Sequence, residues 1–154
     1  MAIISPNISS IVSVATKLKE ERESLILILL GEEEHPDLLD LVSELNTAGI
    51  HFIGGIFPGI IHDTEKNSKG ALLISLPQGT EVCLVENMGI EKLTLSAAQG
   101  IESATEKLTS LILLDGLSPY IAKFLTNIHS QIGHLVDIFG GGAGSLSLQK
   151  KPCL

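Results

Sequence analysis

The N-terminal part of the chain passes from a helical to an extended hydrophobic pattern. After Ser5-Pro6, apolar residues recur at spacings of three and four, which predicts an amphipathic helix with one buried stripe. That stripe consists of Ile8, Ile11, Val12, Ala15 and Leu18. The run Leu25–Leu30 follows and is closed by Gly31. A short unbroken run of branched aliphatic residues predicts a strand that is buried on both faces.

The next segment completes a predicted βα unit. Pro36 suits the first turn of a helix, because its missing N–H has no partner there, and the acids Glu32–Glu34 suit the positive end of the helix dipole. The same acids are an alternative candidate for binding a hard cation such as Ca²⁺. The buried face of the helix would be Leu38, Leu39, Leu41, Val42 and Leu45. Gly49 ends the helix in the C-terminal position that glycine favours.

Short extended runs in the centre of the chain predict a β-meander. Gly54–Gly59 interrupts the first run, and the polar residues 63–69 form a turn after the second. Pro77–Gly79 forms a turn between the last two runs, which we expect to pair as a hairpin. The runs are Ile50–Ile53, Ile60–His62, Ala71–Leu76 and Glu81–Glu86.

The C-terminal part of the chain alternates helical and extended patterns. In order, these are helical spacing across residues 93–108, the strand Leu111–Leu114, a helix from Ser118-Pro119 to Gly133, and the strand Leu135–Phe139. The whole pattern predicts one α/β domain over residues 1–154, with a mixed β-sheet of about six strands flanked by helices and a central β-meander. No internal repeat is evident.

Composition narrows the range of partners. The 154 residues are 44% apolar and 18% charged, with a net charge of −8. A net negative charge opposes binding to phosphate backbones, so we expect no nucleic-acid partner. No apolar run approaches the roughly 20 residues that cross a bilayer, and the first residues lack a signal-peptide pattern. We therefore expect a cytoplasmic protein without a membrane partner, whose apolar surface is covered by a partner protein or a second copy.

Two glycine-rich segments are the strongest candidates for a binding site. Each follows a predicted strand, and ligands of open α/β sheets bind beyond the carboxyl ends of strands. Glycine there lets backbone N–H groups approach a ligand closely; the alternative is a pair of tight turns. We predict one backbone-lined pocket in which Phe57 supplies apolar contact, with His62 and Asp115 as polar anchors. Its residues are Gly54, Gly55, Phe57, His62, Asp115, Gly141 and Gly142.

Catalytic motifs are missing from the sequence. It contains neither a phosphate-binding loop nor a nucleophile elbow, and its cysteines and histidines lack metal-ligand spacing. The histidines are His35, His51, His62, His129 and His134. Cys83 lies in an apolar run, which predicts a buried thiol. We therefore expect neither an enzyme nor a metal site.

The order of these segments resembles a known family. A helix ending in Ala48-Gly49 leads into the segment 50–59, Ile-His-Phe-Ile-Gly-Gly-Ile-Phe-Pro-Gly. Much later, a strand runs into the segment 138–144, Ile-Phe-Gly-Gly-Gly-Ala-Gly. From Ser24 to Leu154 the chain resembles the N-terminal part of the FIST domain, named from F-box and intracellular signal transduction proteins. The resemblance implies an intracellular sensory domain that binds a small ligand, amino acids having been proposed, and signals to partner proteins.

The chain departs from the family pattern where a polar ligand would be held. Ile56 and Phe57 stand where small hydroxyl residues and an acid are usual, and Ser145 stands where Asp is usual. These departures favour an apolar ligand or a protein interface. The family also continues into a C-terminal half, so we expect that this chain is truncated or pairs with that half.

Three functional hypotheses follow. The leading one is a sensory or recognition domain that binds a small ligand and signals to a partner protein. The second is a protein-interaction module, such as a ubiquitin-ligase adaptor or a scaffold, which binds no small ligand. The third is implied by the resemblance alone, since some bacterial members look like haem-binding sensors of nitric oxide. In that case His51, His62 or His129 would be the axial ligand.

Overall fold

The computed structural model describes residues 3–21, 24–85, 88–89 and 108–148. These residues fold, as predicted, into an α/β arrangement with flanking helices. We expected one mixed sheet of about six strands, whereas the described strands form a mixed three-stranded sheet and two two-stranded sheets. The helices are α1 (Ile8–Glu21), α2 (Leu38–Thr47) and α3 (Ile121–Ile132). The strands are β1 (Ile26–Gly31), β2 (Phe52–Phe57), β3 (Ile60–His62), β4 (Glu65–Asn67), β5 (Ala71–Ser75), β6 (Leu108–Asp115) and β7 (Val136–Ala143). The helical spacing predicted across residues 93–108 lies outside the described residues, apart from Leu108 at the start of β6.

Strand β1 is the centre of a three-stranded mixed sheet. It pairs in parallel with β2 and antiparallel with β5, as expected for a run that is apolar on both faces. Ile26, Ile28 and Leu30 are completely buried, and each such side chain contributes on the order of 2 kcal/mol to folding. They pack against the apolar stripes of α1 and α2. Those stripes supply Ile11, Ala15, Leu41 and Leu45.

Helix α2 begins at Asp37 and not at the acidic triplet before it. The Asp37 carboxylate accepts hydrogen bonds from the backbone N–H groups of Leu39 (2.9 Å) and Asp40 (3.1 Å), as an N-cap does. Glu32–Glu34 precede this cap and lie outside the first turn of the helix. The prediction that they are helix-start charge is therefore wrong, because Pro36 and Asp37 place the first turn further along the chain.

Strand β2 runs directly through the first glycine segment. We expected Gly54–Gly59 to interrupt the strand, whereas β2 continues through Gly54 and Gly55 to Phe57. Gly54 pairs with Ile28 on β1, and a Cβ at position 54 would overlap the carbonyl oxygen of Ile28. The glycine is therefore required by the close approach of two parallel strands and does not break the strand.

The central region pairs differently from the predicted hairpin. Strands β3 and β4 form an antiparallel hairpin, and β4 lies within the stretch that we predicted to be a polar turn. Strand β5 pairs with β1, because a doubly buried strand needs a partner on each edge and β5 brings largely buried apolar residues. The described residues 81–85 form no strand. Cys83 is exposed, so its predicted burial is wrong.

Strands β6 and β7 and helix α3 form a second parallel βαβ arrangement. The buried residues Phe124, Ile128 and Ile132 of α3 pack against Val136 of β7. Half-buried side chains of the two strands complete this cluster, together with Val85 and Met88 from the preceding segment. The strand residues concerned are Ile112, Leu114 and Ile138. As with β1, the helix covers one face of the strand pair.

The second arrangement repeats the first, although no repeat was evident in the sequence. We call β1-α2-β2 the first unit and β6-α3-β7 the second unit. Both first strands contain the tetrapeptide Leu-Ile-Leu-Leu, at Leu27–Leu30 and Leu111–Leu114. In both units its Ile faces the first glycine of a Gly-Gly pair, at Gly54 and at Gly140.

The missing side chain serves the same purpose in both units. A Cβ at Gly140 would overlap the carbonyl oxygen of Ile112, as a Cβ at Gly54 would overlap that of Ile28. Each unit is also closed by the same backbone hydrogen bond at its carboxyl edge. Glu32 N donates to Phe57 O (3.0 Å) in the first unit, and Gly116 N donates to Ala143 O (2.8 Å) in the second.

We predict that Gly54→Ala and Gly140→Ala each lower the free energy of unfolding by on the order of 3 kcal/mol, because the new methyl group forces the paired strands apart. Gly141→Ala is the matched control, since nothing lies within 4 Å of a Cβ at that position; it should change stability by less than about 0.5 kcal/mol. Chemical denaturation of the three variants measures these differences. Equal stabilities at positions 140 and 141 would contradict the close-approach explanation.

Candidate functional site

The carboxyl edges of the two units lie against each other. In a parallel βαβ unit both strands end at one edge, and the helix begins at that same edge. Gly144 N donates a hydrogen bond to Ile56 O (3.0 Å), and this bond joins the end of β7 to the end of β2. A Cβ on Gly55 would lie 3.3 Å from the Cβ of Ala143. We name the contact formed by Gly55, Ile56, Ala143 and Gly144 the glycine seam.

The predicted glycines differ in what surrounds them. Gly55 is buried within the seam, and Gly54 is packed against β1. A Cβ on Gly142 would lie 2.7 Å from the Cα of Gly116. The absence of a side chain at position 142 therefore allows the backbone at Gly116 to pack closely against β7. Gly141 is exposed and faces open space. Gly141 is therefore the predicted glycine with open space for a ligand, whereas Gly55 is enclosed by Ala143 and Phe57.

Asp115 is held at the carboxyl edge of the second unit. Its Oδ1 accepts a hydrogen bond from Leu117 N at 2.9 Å, which folds the following residues into a local turn. Gly116, next in the chain, is bonded to the last residue of β7. The Asp115 carboxylate is half-buried and fixed in place, as a polar anchor at this edge requires.

Glu32 is a site residue that sequence reasoning did not single out. Its Oε2 accepts a hydrogen bond from the backbone N–H of Leu146 at 2.9 Å, so its carboxylate crosses from the first unit to the loop after β7. We had grouped it with Glu33 and Glu34, which are exposed, whereas Glu32 is half-buried. Its position directly after the buried strand was the available signal.

The loop after β7 adds hydroxyl groups to the edge. Ser145 is buried, and its Oγ lies 2.9 Å from the Oγ of Ser147. Leu146 and Leu148 are 69% and 77% exposed, although they are large apolar residues. The loop thus combines backbone, hydroxyl and apolar groups within a few residues of the seam.

More exposed apolar side chains lie at the same edge. Leu39, in the first turn of α2, is 83% exposed, so the prediction that it belongs to the buried face of the helix is wrong. Tyr120, the residue before α3, is 50% exposed. Because both helices begin at the carboxyl edge of their strands, these side chains share that edge with Leu146 and Leu148. Exposed apolar groups of this kind mark surfaces that contact another molecule.

His62 lies in a different cavity from the glycine seam. It is on β3, with its Nδ1 3.3 Å from Oδ2 of Asp63, and it lines a cavity of about 390 Å³. The other lining residues are Ile3, Asp63, Thr64, Glu65 and Asn67. The structure does not place His62 among the predicted glycines, because the β3–β4 hairpin carries it to this polar cavity.

Haem does not fit the surroundings of the three candidate histidines in the described part of the chain. A haem pocket needs apolar walls around an axial histidine. The cavity at His62 is lined mainly by polar and acidic side chains, and His51 and His129 are exposed on separate elements. Within the described ranges, no group of three or more His, Cys, Asp or Glu side chains is placed to hold a metal ion.

A larger groove of about 620 Å³ lies between α1 and α2, away from the seam. It is wide open to solvent, and its lining mixes serines and acids with two aliphatic side chains, at Ile8, Ser9, Val12, Ser13, Asp40, Ser43 and Glu44. Its size alone does not make it a binding site, since none of its lining side chains is buried and its polar groups do not converge on one point. The seam is the better candidate, because the two predicted glycine segments meet there.

Comparisons with known proteins identify one family. The family model of the FIST N domain matches residues 24–153, which is the span over which the resemblance was recognised. No curated protein and no solved structure matches the chain. None of the described helices has the length and apolar character needed to cross a membrane.

We predict that Asp115→Ala lowers the free energy of unfolding by about 1 kcal/mol, because Leu117 N loses its acceptor. Asp115→Asn keeps a side-chain oxygen at the same place and should recover most of that loss. Thermal or chemical unfolding of both variants measures the difference. If the two variants were equally destabilised, the carboxylate would be acting through its charge and not through the turn that it caps.

Proposed function

From the premise that the chain belongs to the FIST N domain family, a family of sensory domains in signal transduction, we propose that it binds a small ligand at the glycine seam and signals to a partner protein. The observation that carries this proposal is the meeting of the two glycine segments. They are far apart in sequence, yet Gly144 is hydrogen-bonded to Ile56. Beside this contact Gly141 is exposed and has no side chain, so a ligand can approach the backbone closely.

The groups at the seam support an apolar ligand that carries a hydrogen-bonding group. Phe57 is half-buried at the end of β2, and Leu146 and Leu148 are exposed in the loop after β7. The carboxylates of Glu32 and Asp115 each already accept a backbone hydrogen bond. A ligand donor could share either carboxylate, since an ionised carboxylate accepts several hydrogen bonds. We propose that this sensing takes place in the cytoplasm.

The groups described at the seam support recognition more strongly than catalysis. Acyl or phosphoryl transfer needs a nucleophile beside a base, or a metal. The serines of the loop, Ser145 and Ser147, contact each other, and the histidine of the predicted site, His62, lines another cavity. What the seam offers is shape, backbone and a few fixed acceptors, which suffice for binding.

We predict that native mass spectrometry of the freshly purified chain retains a small mass that disappears on denaturation, and that Gly141→Val abolishes or weakens this retention by at least about tenfold. Valine at position 141 projects into open space beside the seam, so the fold should be unchanged. Thr109→Val is the matched control, because Thr109 is exposed on β6 at the opposite end of the strand.

Normal retention by Gly141→Val would place the ligand elsewhere on the domain. A wild-type chain that carries no small mass, even after incubation with a cell extract of metabolites, would remove the sensory proposal. Circular dichroism of each variant confirms that the secondary structure is intact before binding is compared.

A protein-interaction module is the second candidate, and one observation favours it. Helix α3 covers only one face of the β6–β7 pair, and on the other face Phe139 is 56% exposed. Leu111 pairs with Phe139 across the strands, and Leu113 follows on the same face. Within the described residues, this is an apolar sheet face of the kind that a partner protein or a C-terminal half of the family would cover.

If this second function holds, light scattering of the purified chain should show a dimer or a co-purified protein, and Phe139→Ser should convert it to a monomer with the same helix content. Serine removes most of the apolar area contributed by the side chain, and each buried aromatic contributes on the order of 2 kcal/mol to an interface. Leu125→Ser on exposed α3 is the control. A monomeric wild-type chain without a partner would remove this candidate.

A further inference from the structure

The duplicated units differ at the residue that follows their first strand. In the first unit that residue is Glu32 and in the second it is Gly116; both donate their backbone N–H to the last residue of the second strand. Gly116 has no side chain that could make a further contact. Glu32 has a side chain, and its carboxylate reaches the loop of the other unit.

Glu32 consequently joins the ends of three strands. It follows β1 directly, its N–H bonds to Phe57 at the end of β2 (3.0 Å), and its Oε2 accepts from Leu146 N beyond β7 (2.9 Å). The bond between Ile56 and Gly144 joins the same two units through backbone atoms alone. The hydrogen bond of Glu32 is thus a second connection between the two units, made by a side chain beside the glycine seam.

Helix-start charge does not explain this arrangement. Helix α2 has its own N-cap in Asp37, and the carboxylate of Glu32 is engaged with a backbone N–H in the other unit. Glu33 and Glu34 share the sequence context but are exposed. A charge-assisted hydrogen bond to a backbone N–H is roughly twice as strong as a neutral one, which suits a tie between two separate units.

We propose that Glu32 is a positioning residue of the candidate site, whose carboxylate holds the loop 145–148 against the glycine seam and so sets the shape that a ligand meets. This inference rests on the proposed function, because the loop matters as a wall of the site only if the seam binds a ligand. Gly116, in the equivalent place of the second unit, has no side chain that could make this contact.

The test is amide hydrogen exchange of the full chain, read at Leu146 by NMR without any ligand. Glu32→Ala removes the acceptor and should speed exchange at Leu146 about tenfold or more. Glu32→Gln keeps a neutral acceptor and should stay within about threefold of wild type, with an upfield shift of the Leu146 amide proton. Glu33→Ala is the matched control and should leave both readouts unchanged.

Unchanged exchange at Leu146 in Glu32→Ala would overturn the proposal, as would an equal effect from Glu33→Ala. If Glu32→Ala failed to fold, the chemical shift of the Leu146 amide proton in Glu32→Gln would decide instead. Replacing the carboxylate by an amide must change that shift if the carboxylate accepts the hydrogen bond from Leu146.

Native mass spectrometry of the same samples separates the positioning role of Glu32 from the proposed sensory function. Loss of the retained small mass in Glu32→Ala supports the positioning role, whereas a wild-type chain that retains none removes the sensory function and leaves the exchange result standing.

Discussion

The close approach of parallel strands at Gly54 and Gly140 is the constraint on which the rest of the structure depends. At each position a side chain would overlap the carbonyl oxygen of an isoleucine on the partner strand, so only glycine permits the observed pairing. The pairing fixes the register, and the register fixes where each strand ends. Because both units use the same register, their carboxyl edges are alike, and the bond from Gly144 to Ile56 brings these edges together.

Much of the fold could be predicted from hydrophobic spacing, because burial dictates that spacing locally. The stripe of α1, the doubly apolar run of β1 and the buried face of α2 apart from Leu39 follow this rule. The predicted meeting place of the glycine segments follows from the ends of strands. Pairing partners could not be predicted in this way. Strand β5 and residues 81–85 are both largely apolar, so either could have paired with the open edge of β1. Only the tertiary structure shows that β5 is the partner.

The structural role of the glycines was the feature that depended most on tertiary structure. A Gly-Gly pair within an extended run is typical of a turn, yet Gly54 and Gly55 lie inside β2. The structural repeat was hidden for a related reason, since only short segments of the two units match in sequence and their equivalence is visible only in the register of paired strands. Glu32 was overlooked because its partner, Leu146, is distant in sequence, and no local pattern reports a contact over that range.

The differences between the two repeated units make the two sides of the candidate site unlike. If the two units were identical, the seam would present the same groups on both sides, and a ligand could bind in either orientation. They are not identical: Glu32 extends from the first unit, while the second has Asp115 turned onto its own loop, followed by Gly116. The loop that carries Leu146 and Leu148 lies beyond β7 alone. A ligand bound at the proposed site would therefore meet different groups at its two ends, and this asymmetry would help the site to distinguish one small molecule from another.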